Sequence, residues 1–359
     1  MADAHGLPSA RRAVAVALIV AILGACAGSA PGSPSPSLAT RTTQPSASVA
    51  ASAEPTSRPT PSPKVYDLQG AWADGAQMTS KRAELAATVL DGRLYVAGGI
   101  DSRATSLTTF EAYDPASDTW IELAPIPEGR DHPGLAALGG KLYLTGGGIF
   151  HEPSVKRDAW AYDPATNAWS SIAPMPARRW AHVSLALGDK LYVFGGVVAA
   201  EPANNDTWVY DPATNTWDTS PPPLPTYREH LAGVVVDGKA WIIGGRHFSN
   251  LATIEVYDPV TNTWTAMPDM PTARGGLTAG LVGRQVHVTG GENLENLSTY
   301  GQHDVFDLDL GRWLTAPDLP KKRHGLGSGA IDGRWIVVGG GQHGGVAVSP
   351  YVDIFTPAN

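Results

Sequence analysis

An apolar run ending in a double glycine recurs six times along the chain, at Gly98/Gly99, Gly146/Gly147, Gly195/Gly196, Gly244/Gly245, Gly290/Gly291 and Gly339/Gly340. The first glycines stand 48, 49, 49, 46 and 49 residues apart. A repeat of that length is one small sheet that cannot bury both of its own faces, so the copies must stack and share a core. Six such sheets set radially make an all-β, six-bladed β-propeller.

Other markers keep the same phase. Trp72, Trp120, Trp169, Trp217, Trp264 and Trp313 each precede the next double glycine by 26 or 27 residues, and Tyr113, Tyr162, Tyr210, Tyr257 and Phe306 lie seven residues before five of them. Turn cassettes such as Tyr162-Asp163-Pro164-Ala165-Thr166-Asn167 fall between these aromatics, where Asp, Pro and Asn favour a tight reversal. Arg82, Arg130, Arg179, Arg228, Arg274 and Arg323 each stand 16 residues before their double glycine. Within a repeat, alternation and short Gly/Asp turns such as Gly188-Asp189 predict hairpins. The last repeat stops at Asn359 without a tryptophan strand, and the missing strand lies around Ala71-Trp72. Pairing it beside the C-terminal strands completes the sixth blade and removes open edges.

The combination of Arg, double Gly, Tyr-Asp-Pro and Trp resembles the kelch repeat, over residues 65–359. The resemblance implies the propeller fold and leaves activity open, because kelch propellers include binding scaffolds, a copper-dependent oxidase and a sugar epimerase.

Two segments precede the propeller. Arg11 and Arg12 before the apolar run Ala13 to Ala25 have the pattern of a secretory signal, too short to favour a mature transmembrane span. The run ends Leu23-Gly24-Ala25-Cys26, which resembles a bacterial lipobox, and Cys26 is the only cysteine. Residues 1–25 therefore read as a lipoprotein signal peptide, with Cys26 carrying a lipid on the outer side of the cytoplasmic membrane or in the periplasm. From Cys26 to Lys64 the chain is rich in Ser, Pro, Thr and Ala and reads as a disordered linker.

The formal charge is −8, and removal of residues 1–25, which carry Arg11, Arg12 and Asp3, leaves about −9. That balance argues against nucleic acid as a partner, since phosphate binding needs a basic face. There is no disulfide framework, no phosphate loop, no Ser nucleophile elbow and no dinucleotide fingerprint. No cofactor is expected, and the protein is read as a monomer.

The arginines and the double glycines fall on one face of the disc, together with Phe150, His151, Arg246, His247, Phe248, Glu292, Asn293 and His343. Loops on one end of a rigid scaffold are the usual place for recognition. Six guanidinium forks near the channel mouth can bind a carboxylate or sulfate; equally, each can bond carbonyls or acids of the adjoining blade. Two residues past each arginine the repeats read Glu84, His132, Ala181, His230, Gly276 and Gly325. This position varies while its framework does not. Glu84, His132 and His230 share a facing and suit acid–base chemistry, or serve as polar fillers. His182 and His324 are out of phase. No metal is expected, because the blades holding His132 and His230 are not adjacent.

Two functions follow. One is a lipid-anchored binding module whose loop face recognises a protein or glycan of the cell envelope. The alternative is a sugar-converting enzyme similar to kelch N-acetylneuraminate epimerases, in which an arginine clamps the sugar carboxylate and Glu84, His132 or His230 moves protons.

Overall fold

The computed structural model describes residues 66–150, 154–197 and 205–358. Among these there is no helix; six four-stranded antiparallel sheets account for the fold. Blade 1 runs from the axis outward through Ala86–Leu90, Arg93–Ala97, Phe110–Asp114 and Thr119–Glu122. Blades 2 to 5 repeat this order over 134–171, 183–218, 232–267 and 275–316. The inner strands of neighbouring blades touch all the way round the ring.

Closure occurs as the sequence predicts. Gly70–Asp74 pairs with Val352–Pro357, Trp72 opposite Phe355, and becomes the outer strand of blade 6 beyond Gly327–Ile331, Arg334–Val338 and Val352–Pro357. The first and last described strands are thus knitted into one sheet, and no blade among the described residues lacks its fourth strand. The signal, Cys26 and the linker lie outside the described residues.

The core sits between blades rather than within them. Each second strand, such as Leu191–Phe194, is buried on both faces. One cluster joins Tyr95 and Phe110 of blade 1 to Leu142, Leu144, Trp160 and Tyr162 of blade 2, with Trp169 packed against it. The repeat tryptophans add a polar tie. Trp120, Trp169 and Trp217 donate Nε1–H to the carbonyls of Ala76, Ala124 and Ala173 at 2.8–2.9 Å, each on the segment leaving the preceding blade. Trp72 does the same to Pro317 at 2.7 Å, so the tie crosses the closure seam.

The double glycines have a steric reason. Both members have positive φ in all six copies, and the second has φ between 86° and 102°, a conformation open to glycine alone at little cost. At Gly340 a Cβ would meet the carbonyl oxygen of His324 at 2.6 Å. At the first glycine the next blade comes as near, a Cβ at Gly98 meeting Arg130 O, and there each second glycine donates N–H to the next blade's arginine carbonyl: Gly99 to Arg130 at 2.8 Å, and finally Gly340 to Arg82 at 2.9 Å.

Two outcomes test this account by thermal and denaturant unfolding. Removing residues 66–80 should abolish the cooperative transition, whereas a sharp melt in the truncated chain would show that the ring closes without this strand. Trp169→Ala should destabilise by roughly 3 kcal/mol, from the cavity opened between blades 1 and 2.

Candidate functional site

The six residues that stand two past each arginine form a closed collar of backbone hydrogen bonds around the axis. His132 N–H donates to Glu84 O, Ala181 to His132, His230 to Ala181, Gly276 to His230, Gly325 to Gly276, and Glu84 to Gly325, at 2.8–3.0 Å. All six are left-handed, with φ between 50° and 68°. For a glutamate, an alanine and two histidines that conformation is unfavourable by about 1 kcal/mol each, and the ring of bonds holds them there. A cavity of about 80 Å³ is lined by the collar residues and by the residue following each of them.

The collar brings Glu84, His132 and His230 together although they belong to blades 1, 2 and 4. Glu84 Oε2 lies 3.0 Å from His132 Nε2, and the His132 and His230 rings meet edge to face with centroids 4.7 Å apart. One donor atom from each of the three lies within 4.8 Å of the other two. Around them runs a chain of polar contacts: Asp131 to His132 Nδ1 (2.8 Å), His132 to Glu84 (3.0 Å), and Glu84 to His324 Nε2 (3.3 Å). It continues from His324 to Glu292 (3.8 Å), Glu292 to Arg246 (2.6 Å) and Arg246 to Glu229 (2.7 Å), and Glu229 pairs with His230 Nδ1.

The electrostatics divide the histidines. Burial disfavours the His132 cation, but the Glu84 charge and the hydrogen bond to Asp131 outweigh it and raise its pKa to about 9. Glu84 is likewise held well below the carboxylate range, burial being overcome by His132 and by the bond from His324. His324 is raised, with burial opposed by Glu84. His230 is pushed well below its ordinary value by burial and by the positive charges of Arg246 and His132. An imidazolium, a carboxylate and a neutral imidazole therefore share one mouth.

The six repeat arginines are elsewhere. Each is fully buried, which corrects the expectation that Arg82, Arg130, Arg179, Arg228, Arg274 and Arg323 offer forks to a ligand. Arg82, Arg228, Arg274 and Arg323 pair with Glu111, Glu255, Asp304 and Asp353 on the third strand of their own blade. Arg130 takes Asp158 and Glu128. Arg179 donates to Asp206 O at 2.7 Å and stacks 3.5 Å over Trp208. These pairs lie within a blade, not across to the adjoining one. Loss of one partner would strand a buried charge, which is why the position does not vary.

Of the loop residues, Phe248 is 73% exposed at the tip of a small hairpin, Arg246–His247 paired with Ser249–Asn250, and His247 stacks between Tyr227 and Phe248. His343 is exposed. Phe150 is half-buried, its N–H bonded to Ser106 Oγ. His151 lies outside the described residues. Asn293 Nδ2 donates to the Tyr300 hydroxyl at 3.3 Å.

Sequence reasoning missed the supports of the site. Asp131, Glu229 and His324 occupy the column one residue after the arginine, which reads Ala83, Asp131, Trp180, Glu229, Gly275 and His324. It varies as much as the next column, and that variation was the available signal. His182, by contrast, is buried between blades 2 and 3 with Nε2 2.9 Å from Thr145 Oγ1, and it lines the cavity without joining the chain of polar contacts.

The sheets and their closure define a six-bladed β-propeller. The Kelch motif family model matches residues 81–127 and 129–176, and the KLHDC2/KLHL20/DRC7 Kelch-repeats domain matches 171–291; the chain is a kelch-repeat protein. It is 28% identical over 237 residues to Kelch-like protein terF of Aspergillus terreus, covering 63% of this chain and 42% of that one. It is 34% identical over 87 residues to human Kelch-like protein 31, covering 23% and 14%, and 37% identical over 76 residues to beta-scruin of Limulus polyphemus, covering 21% and 8%. The chain thus spans less than half the length of these relatives. A solved structure titled "Structure of YjhT" superposes with a TM-score of 0.68 at 22% identity, over 79% of this chain and 99% of that one, a likeness of fold.

The ion pair at the mouth has a pH signature. His132 gains its partners on folding, so its contribution is complete below its unfolded value of 6.5 and is lost as pH rises through about 9. Glu84 contributes above 4.5 and loses its contribution on acidification. NMR titration of the His132 ring should give a midpoint near 9, falling towards 6.5 in Glu84→Gln. A midpoint near 6.5 in the parent would contradict the pairing.

Proposed function

We propose that the propeller is a protein-binding module that recognises its partner through the loops of blades 4 to 6. The observation that carries this is the set of exposed apolar side chains on that face: Phe248 at 73%, Leu297 at 52%, Leu294 at 39% and Val346 at 38%. Phe248 and Leu297 stand at φ of 60° and 56°, uncommon for bulky residues and kept only where surrounding structure enforces it. The loops enforce it by bonding to one another. Asn250 Nδ2 donates to Glu292 O at 2.7 Å, Arg246 reaches Glu292, and Gly344 N–H donates to Leu297 O at 2.7 Å. A rigid, apolar-tipped surface loses little freedom on binding, which favours affinity, and a protruding aromatic is the kind of anchor that dominates an interface.

On this reading the module is exported, held by a lipid on Cys26, and meets a protein of the cell envelope as a monomer; the sequence signals at residues 1–64 support that setting. A glycan partner has less in its favour, since the exposed tips are apolar. The sugar-converting reading needs one of the repeat arginines as a carboxylate clamp, and all six are buried.

A photo-cross-linking side chain at Ser249, displayed on the envelope of the source cells, should capture one major protein. Phe248→Asn with Leu297→Asn should cut capture by at least ~10-fold without lowering Tm, since Asn accepts the left-handed backbone. Val260→Ser, at a 91% exposed residue in a turn on the opposite face, should leave it unchanged. Equal losses from both faces would overturn the assignment.

A further inference from the structure

We propose that the collar binds one divalent first-row transition ion on the propeller axis, with Glu84, His132 and His230 as its protein ligands. The site stands independently of what the loop face recognises, and it reverses the expectation that ligands on non-adjacent blades cannot meet. They meet because the collar is narrow: the donor atoms of the three residues lie within 4.8 Å of one another. Ligands 2.0–2.1 Å from a tetrahedral ion stand ~3.3 Å apart. Glu84 and His132 are already at 3.0 Å, and His230 is the ligand that must draw closer.

The second argument is the orientation of the rings. A carboxylate only accepts, so the contact of His132 Nδ1 with Asp131 at 2.8 Å places a proton on Nδ1 and the contact with Glu84 at 3.0 Å places another on Nε2; an ion on the axis displaces the second proton and takes the Nε2 lone pair. Glu229 lies against His230 Nδ1. A histidine whose second nitrogen is hydrogen-bonded to a carboxylate is the support that metal-ligating imidazoles use, and His132 has it. The third, Glu84, is backed through Oε1 by His324, whose Nδ1 is 3.2 Å from Gly341 O.

The third argument is charge. The chain of contacts sets the carboxylates of Glu84, Asp131, Glu229 and Glu292 against the guanidinium of Arg246, with the His132 imidazolium as the cation nearest the axis. A divalent ion that displaces the Nε2 proton of His132 takes over that role. Space is reserved as well: a Cβ at Gly325 would lie 2.6 Å from Glu84 Oε1. Two imidazoles and a carboxylate suit Zn²⁺, Fe²⁺ or Mn²⁺, and three protein ligands leave a position for water, a hydroxyl or a carboxylate of a bound molecule.

The test uses the full chain after dialysis against chelator. Calorimetric titration with Zn²⁺ should show one ion per chain, and Co²⁺ should develop the visible bands of a low-coordinate nitrogen–oxygen site. His230→Gln and His132→Gln should each weaken Zn²⁺ at least ~100-fold, and Asp131→Asn or Glu229→Gln by ~10- to 100-fold. Paired His247→Asn and His343→Asn changes should leave it unaltered. Zn²⁺ should raise the Tm of the parent and not of His230→Gln, a readout that survives if His132→Gln fails to fold. Absence of a stoichiometric ion, or an affinity indifferent to His230→Gln, overturns the proposal.

Discussion

Everything near the axis depends on a ring of six backbone hydrogen bonds that closes on itself. Each N–H in the collar points to the blade before it, and each second glycine of a pair sends its own N–H to the blade after it, so two counter-running rings clasp the same inner wall. Neither ring uses a side chain. The backbone is therefore fixed by geometry that six repeats share, and the side chains of Glu84, His132, Ala181 and His230 are carried on it without having to hold it together.

A second layer of constraint lies farther out. Buried arginines tie the first and third strands of most blades, and tryptophan indoles tie each blade to the one before. Burying so many guanidinium groups is costly unless each is met by a carboxylate or carbonyls. The repeat meets them within the blade, which leaves the channel mouth free of their charge. The field at the mouth is accordingly set by the variable residues, and the contrast between a charged His132 and a neutral His230 in edge-to-face contact arises from their neighbours Asp131, Glu84 and Arg246.

The fold was readable because its markers repeat in phase: double glycines, tryptophans and arginines each have one job per blade, and the gap left at the C-terminus pointed to Trp72. The convergence of Glu84, His132 and His230 was readable for the same reason, from a column that varies inside a constant frame. The role of the arginines was not settled by sequence, since a guanidinium at a channel mouth and one buried behind it occupy the same column. Nor were Asp131, Glu229 and His324 found. Their column lies one residue earlier, and the left-handed residue that follows each of them bends the chain so that side chains of opposite strand parity reach the same centre.

The collar is uniform in its main chain and lopsided in its side chains: blades 5 and 6 contribute only Gly276 and Gly325, while blades 1, 2 and 4 contribute the chemistry. Such a ring behaves as a set of equivalent seats. A side chain in one seat draws on room left by a neighbour, as Glu84 does on Gly325, where a Cβ would come within 2.6 Å of its carboxylate. Descent with this architecture can therefore move a functional group round the axis one blade at a time, changing what the mouth recognises while the wall that frames it stays as it was.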